Sequence, residues 1–176
     1  MNTRTRTRRL LASTLGLALL PAFGLSAALV TPAVASAAEA ETAKCQVHSV
    51  LALKTGDGSI PDDLKFLADQ LSADQFAAYK SFRLLETKQF KLELNKPAVA
   101  AMKSGHKLTL EFLGSEPETK KLRLRANLTS RTGEGSLVDT RLQFPSGGLL
   151  WVGGVRHDDG KLFFAIHCVQ GEATKP

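Results

Sequence analysis

The sequence predicts an α+β fold: an N-terminal β-α-β unit packed with an antiparallel β meander, making a β-rich, sandwich-like domain stapled by one disulfide. Three observations predict it. Residues 45–94 place a helical period between two strand-like runs. Residues 108–169 alternate apolar and polar side chains in short segments separated by turn-forming residues. The two cysteines, Cys45 and Cys168, stand near the two ends of this region.

The residues before that region read as an export signal. Arg4, Arg6, Arg8 and Arg9 precede the apolar run 10–30, and Ser36-Ala37-Ala38 supplies a small-x-small site before Glu39. Residues 1–38 are therefore expected to be a signal peptide and residues 39–176 a single domain. Pro21, Pro32 and the alanine-rich end favour a cleaved signal over an anchor, so no transmembrane segment is expected after cleavage. Thr7-Arg8-Arg9-Leu10-Leu11 has the form of a twin-arginine motif, so the general and twin-arginine routes both remain open. Cys45 follows Thr42-Ala43-Lys44 rather than the apolar run, which speaks against a lipid anchor. The expected location is periplasmic or secreted.

Cleavage changes the charge argument. The chain has 23 basic and 17 acidic residues, a formal net charge of +6. Four of the arginines and none of the acids precede Glu39, so the mature domain is close to neutral. Nucleic-acid binding depends on many phosphate contacts, and this balance gives no general case for it. An oxidising compartment pairs Cys45 with Cys168, tying the first strand to the last.

Each element has its own justification. Cys45, Val47, Leu51 and Leu53 share one face of a first strand, which Gly56-Asp57-Gly58 ends. Pro61 suits a first helical turn, Asp62 and Asp63 complement the positive end, and Leu64, Leu67 and Leu71 recur at helical spacing. Ser72-Ala73-Asp74-Gln75 starts a second short helix through Phe76 and Tyr79, or kinks the first. Residues 81–94 form the next strand, with a bulge or break near Glu86-Thr87 because Leu85 follows Phe82 and Leu84 out of alternation before Phe90, Leu92 and Leu94 resume it. The alanines of 97–102 permit a helical turn, ended by Ser104-Gly105. The meander follows: Leu108, Leu110 and Phe112; then Leu122, Leu124, Ala126 and Leu128; then Val138, Thr140, Leu142 and Phe144. A closing pair, 149–155 and 161–169, turns at Asp158-Asp159-Gly160, where Asp-Gly offers the positive φ of a tight hairpin.

Few residues point to chemistry. His157 reads as a solvated residue of the hairpin tip, and Asp158 and Asp159 offer too few oxygen ligands for a calcium loop. With Cys45 opposite Cys168, His48 faces Ala165 and His167 faces Gln46, a diagonal histidine pair roughly 7 to 8 Å apart without a third ligand. No Gly-x-Ser-x-Gly elbow occurs, and oxidised cysteines supply no thiolate. The reading therefore assigns no catalytic residue, metal or cofactor. The most suggestive surface feature is the stripe Lys121, Arg123 and Arg125 on one face of one strand, extended by Lys120, Arg131 and Arg141. Two readings are open for it: a solvated face whose long side chains protect the sheet, or a binding face for an acidic partner such as an envelope protein, an anionic glycan or a lipid headgroup. Scarce aromatics argue against nucleic-acid stacking. Trp151, beside Gly153-Gly154, has a core or hairpin role by default.

Several segments, namely 47–54, Ile60-Pro61-Asp62-Asp63-Leu64, 79–85, 147–154 and 159–162, resemble small secreted proteins of myxobacterial type. The resemblance implies an envelope-associated β-rich domain and supplies no catalytic residues; Pro97 to Met102 departs from it, standing where a plain turn is expected. The leading expectation is thus a non-enzymatic binding domain. The competing one is a hydrolytic or metal-dependent enzyme assembled in space from His48, His167, or His157 with Asp158. An inhibitor or assembly factor of an envelope complex is a third.

Overall fold

The computed structural model describes residues 41–171. The signal-peptide expectation lies outside them.

Among the described residues, eight strands form two antiparallel sheets. They are β1 (Thr42–Leu53), β2 (Ser81–Glu93), β3 (Pro97–Ala101), β4 (Lys107–Ser115), β5 (Lys121–Thr129), β6 (Ser136–Pro145), β7 (Leu149–His157) and β8 (Gly160–Gln170). Sheet A has the order β2-β1-β8-β7 and sheet B the order β3-β4-β5-β6. The inward set of sheet A, including Cys45, Val47, Leu92, Phe164 and Ile166, joins Leu110, Phe112, Leu122 and Leu124 of sheet B in one buried core. This is the packing of a β-sandwich.

The α+β expectation and its β-α-β unit are corrected by this arrangement. A β-α-β unit requires parallel strands, whereas β1 and β2 pair directly and antiparallel, from Thr42 opposite Glu93 to Leu53 opposite Ser81. The connection between them holds a 3-10 turn (Asp62–Leu67), a single α-helical turn (Ala68–Leu71) and another 3-10 turn (Asp74–Phe76). The i, i+3 spacing of Leu64 and Leu67 serves a 3-10 turn as well as an α-helix, so the apolar period did not separate the two. Lys80 N–H donates to the Leu53 carbonyl at 2.8 Å and Gly58 N–H to the Lys80 carbonyl at 2.8 Å, returning the excursion to the end it left.

That excursion covers part of sheet A's outer face. Leu64, Leu67, Leu71 and Phe76 pack with Val50, Ala52, Phe82 and Ala165 in a second buried cluster. Strand β1 is therefore apolar on both faces through Val50, Leu51 and Ala52, where one covered face was expected. Trp151 lies over this layer with its ring 4.8 Å from Phe76 and its Nε1 donating to Gln70 Oε1 at 3.2 Å, the hairpin and core role expected for it.

Other expectations hold in part. The β1/β2 register shifts between Ser49 and Val50, leaving Leu85 as the bulged residue beside Glu86. Residues 97–101 form an edge strand instead of a helical turn, with Pro97 at its first position, where a missing N–H costs no ladder bond. The closing hairpin is present, but its glycine serves another end. Asp158 carries the positive φ of 47°, while a Cβ at Gly160 would run into the Ala52 carbonyl. Turn 145–148 carries the chain from sheet B to sheet A, where Gly147 N–H donates to the Cys168 carbonyl at 2.8 Å. Cys45 and Cys168 are opposite each other on β1 and β8 and form the disulfide.

Candidate functional site

Alternation along β5 puts Leu122, Leu124, Ala126 and Leu128 in the core and Lys121, Arg123 and Arg125 on the exposed outer face of sheet B. Pairing with β6 brings Arg123 opposite Gln143 and Arg125 opposite Arg141. The three stripe residues differ in their bonding. Arg125 grips Asp139 with two hydrogen bonds, Nε to Oδ1 at 2.8 Å and Nη2 to Oδ2 at 2.6 Å. These bonds hold the Asp139 carboxyl below its ordinary range and raise the Arg125 guanidinium further. Arg123 donates one bond to the Leu113 carbonyl at 3.0 Å and has no carboxylate partner among the described residues. Arg123 and Arg141, with Gln143, line a depression of about 340 Å³.

The wider set of cations divides. Arg141 lies on the same face as the stripe, on β6. Arg131 does not: beyond the end of β5, it reaches to the Ser104 carbonyl (Nε donating at 2.8 Å), to the His157 ring and to Asp158 (3.2 Å). Lys120 sits in the turn before β5 with φ of 53°.

His157 is the main departure from expectation among these residues. It is buried, not a solvated tip residue: its ring packs 5.7 Å from that of His106 and lies under Arg131, whose Nη2 approaches Nδ1 at 2.7 Å. A guanidinium only donates, so Nδ1 accepts and the ring is neutral. His106, also buried, contacts Ser104 Oγ through its own Nδ1 at 3.1 Å. Burial first, then Arg131, lowers the pKa of His157, against the opposing pull of Asp158; burial, then His157 and Arg131, lowers that of His106. His106 escaped the sequence reading, although extending the inward period of β4 back from Leu108 reaches it.

The serine-histidine contact here pairs a hydroxyl with a ring nitrogen, and both residues are buried, Ser104 4% exposed and His106 3%. The lowered pKa values of the two rings link the cluster to the pH dependence of folding. Above the ordinary histidine value of about 6.5 both rings are neutral in folded and unfolded chains alike; below it the unfolded chain takes protons that the folded rings refuse, and stability falls with pH. The melting temperature should drop from about pH 7 to about pH 5, and His106→Gln/His157→Gln should flatten that drop. An unchanged slope would contradict this role.

The other histidine pair has the expected register, His48 opposite Ala165 and Gln46 opposite His167. His48 is buried, with Nδ1 2.9 Å from Thr87 Oγ1 and its ring 4.6 Å from Phe66; burial, then His167, lowers its pKa. Among the described residues no three His, Cys, Asp or Glu side chains converge to hold a metal ion. Asp62 is exposed and pairs with Lys65 at 2.7 Å.

No protein-family model, curated protein or solved structure matches the chain.

Proposed function

We propose that this chain is an exported, non-enzymatic binding domain that takes an acidic protein surface against the outer face of sheet B. The observation that carries the reading is the pair Arg123 and Arg141, two exposed guanidinium groups flanking one depression on a four-stranded face that no other described element covers. Thr109, Asn127 and Gln143 lie on the same face as neutral hydrogen-bonding groups. A flat face with spaced cations and interleaved polar groups suits a flat acidic partner better than a small enclosed ligand. Anionic glycans and lipid headgroups share the charge but not that need for area.

Export supports the reading from two sides. A disulfide persists in oxidising compartments, and residues 1–38 have the form of a signal peptide. Among the described residues no helix is long and apolar enough to cross a membrane. A periplasmic or secreted location accords with both facts.

The test is binding to an immobilised poly-glutamate chain at two salt concentrations. Arg123→Gln/Arg141→Gln should weaken binding by about tenfold and reduce its salt dependence, through a slower association rate. Arg125→Gln should change binding little, because its charge is already taken by Asp139. Wild-type binding by the double variant would retire the sheet B reading.

A further inference from the structure

Part of the outer face of sheet A lies beyond the connecting segment. Across β2, β1 and β8 it presents the row Gln89, Gln46, His167 and beside it the row Lys91, Lys44, Val169. Two depressions, about 630 and 440 Å³, open on it and share Gln46 and His167 in their walls. Phe66, 58% exposed on the first 3-10 turn, and Leu149 border the smaller one.

Lys44 and Lys91 are direct cross-strand partners on this face, and both are exposed. Like charges in that position destabilise a sheet. Neither lysine is ion-paired with a carboxylate among the described residues. Glu93, which senses Lys91 electrostatically, is hydrogen-bonded to Lys96 at 2.5 Å. Glu93 therefore offsets the charge of Lys91 only in part, and an anion seated between the two ammonium groups relieves the remaining repulsion.

The floor also limits the kind of anion. Strand β1, at the centre of the floor, is hydrogen-bonded on both sides, to β2 and β8, so the middle of the groove has no open ladder for an added strand. An extended peptide that binds by adding a strand needs a sheet edge, and the edges of sheet A are β2 and β7. What the floor offers is two ammonium donors, two amides that both donate and accept, an imidazole and an exposed phenyl ring at the wall. Hydroxyl groups match the amides, a carboxylate matches the lysines, and a C–H face matches the phenyl ring. We infer that this groove binds an acidic saccharide, an oligosaccharide of uronic acids, independently of sheet B.

The experiment is a residue-resolved NMR titration of the oxidised protein with trigalacturonate, with galactotriose as the neutral control. Trigalacturonate should shift the amides of Lys44, Gln46, Lys91 and His167, and galactotriose should bind about tenfold or more weakly. Lys44→Gln/Lys91→Gln should cost about tenfold in affinity while leaving the melting temperature unchanged or higher, and Gln46→Leu/Gln89→Leu should cost a similar factor. Arg123→Gln/Arg141→Gln should leave this binding intact, which separates it from the sheet B proposal. Four results would overturn the inference: no shift at the groove, equal binding of the neutral sugar, shifts confined to sheet B, or a tri-glutamate peptide occupying the groove with equal affinity.

Discussion

Replacing Cys45 and Cys168 together with alanine is expected to lower stability by about 4 to 5 kcal/mol. The bridge spans a sequence separation of 123 residues, so it removes a large loop's worth of freedom from the unfolded chain. In the folded state it joins strands that already pair along most of their length, from Ala43 opposite Gln170 to Ala52 opposite Lys161. The double variant should therefore keep the fold and lose melting temperature by on the order of 10 to 20 °C. Both sulfurs are enclosed by the sandwich core, so reductant should act slowly until the protein opens. Thermal melts of the wild type and the double variant check this, and a loss below about 1 kcal/mol would contradict the stapling role.

Phe76→Ala is expected to cost about 3 to 5 kcal/mol. The residue ends a three-residue 3-10 turn, which has little helical stability of its own. Its ring instead holds the connecting segment to sheet A: it lies 4.8 Å from Trp151, 5.1 Å from Phe163 and 5.9 Å from Phe82. Truncation removes the centre of that cluster and loosens the cover over Val50, Ala52 and Ala165. Trp151 fluorescence should shift to the red together with the loss of stability. A full-strength effect on Trp151 with no change in melting temperature would mean that the segment is an ornament on the sandwich.

The strands were the most legible part of the chain. Strict alternation from Leu122 to Leu128 gives β5 one inward face, and Leu162, Phe164, Ile166 and Cys168 form the inward face of β8, whose Phe163 and Ala165 pack on the other side. The cysteine pair set the β1/β8 register, and with it the partners of His48 and His167. The connecting segment was misread because leucines three apart fit a 3-10 turn and an α-helix alike, while the strand direction that distinguishes a hairpin from a β-α-β unit leaves no local mark. Its true position was signalled more quietly by Val50 and Ala52, apolar residues on the face of β1 opposite Cys45.

The binding faces were legible only within single strands. The stripe Lys121, Arg123 and Arg125 followed from alternation, but its electrostatics did not. Asp139 neutralises Arg125 from the neighbouring strand, two positions before Arg141, and no property of β5 alone announces that contact. The groove on sheet A depends likewise on cross-strand neighbours: Lys44 meets Lys91 only once β1 and β2 pair antiparallel. His157 was misplaced because a polar residue beside an Asp-Asp-Gly tip has the composition of a solvated loop. Arg131, arriving from beyond β5, covers it.

The central claim is that sheet B's outer face receives an acidic partner. A residue-resolved NMR titration of the oxidised protein with poly-glutamate tests it most directly. Poly-glutamate should produce shifts centred on Lys121, Arg123, Arg141 and Gln143 that weaken with salt and need about tenfold more ligand in Arg123→Gln/Arg141→Gln. Shifts centred on His106, His157 and Arg131, or no shifts along β5 and β6, would contradict it.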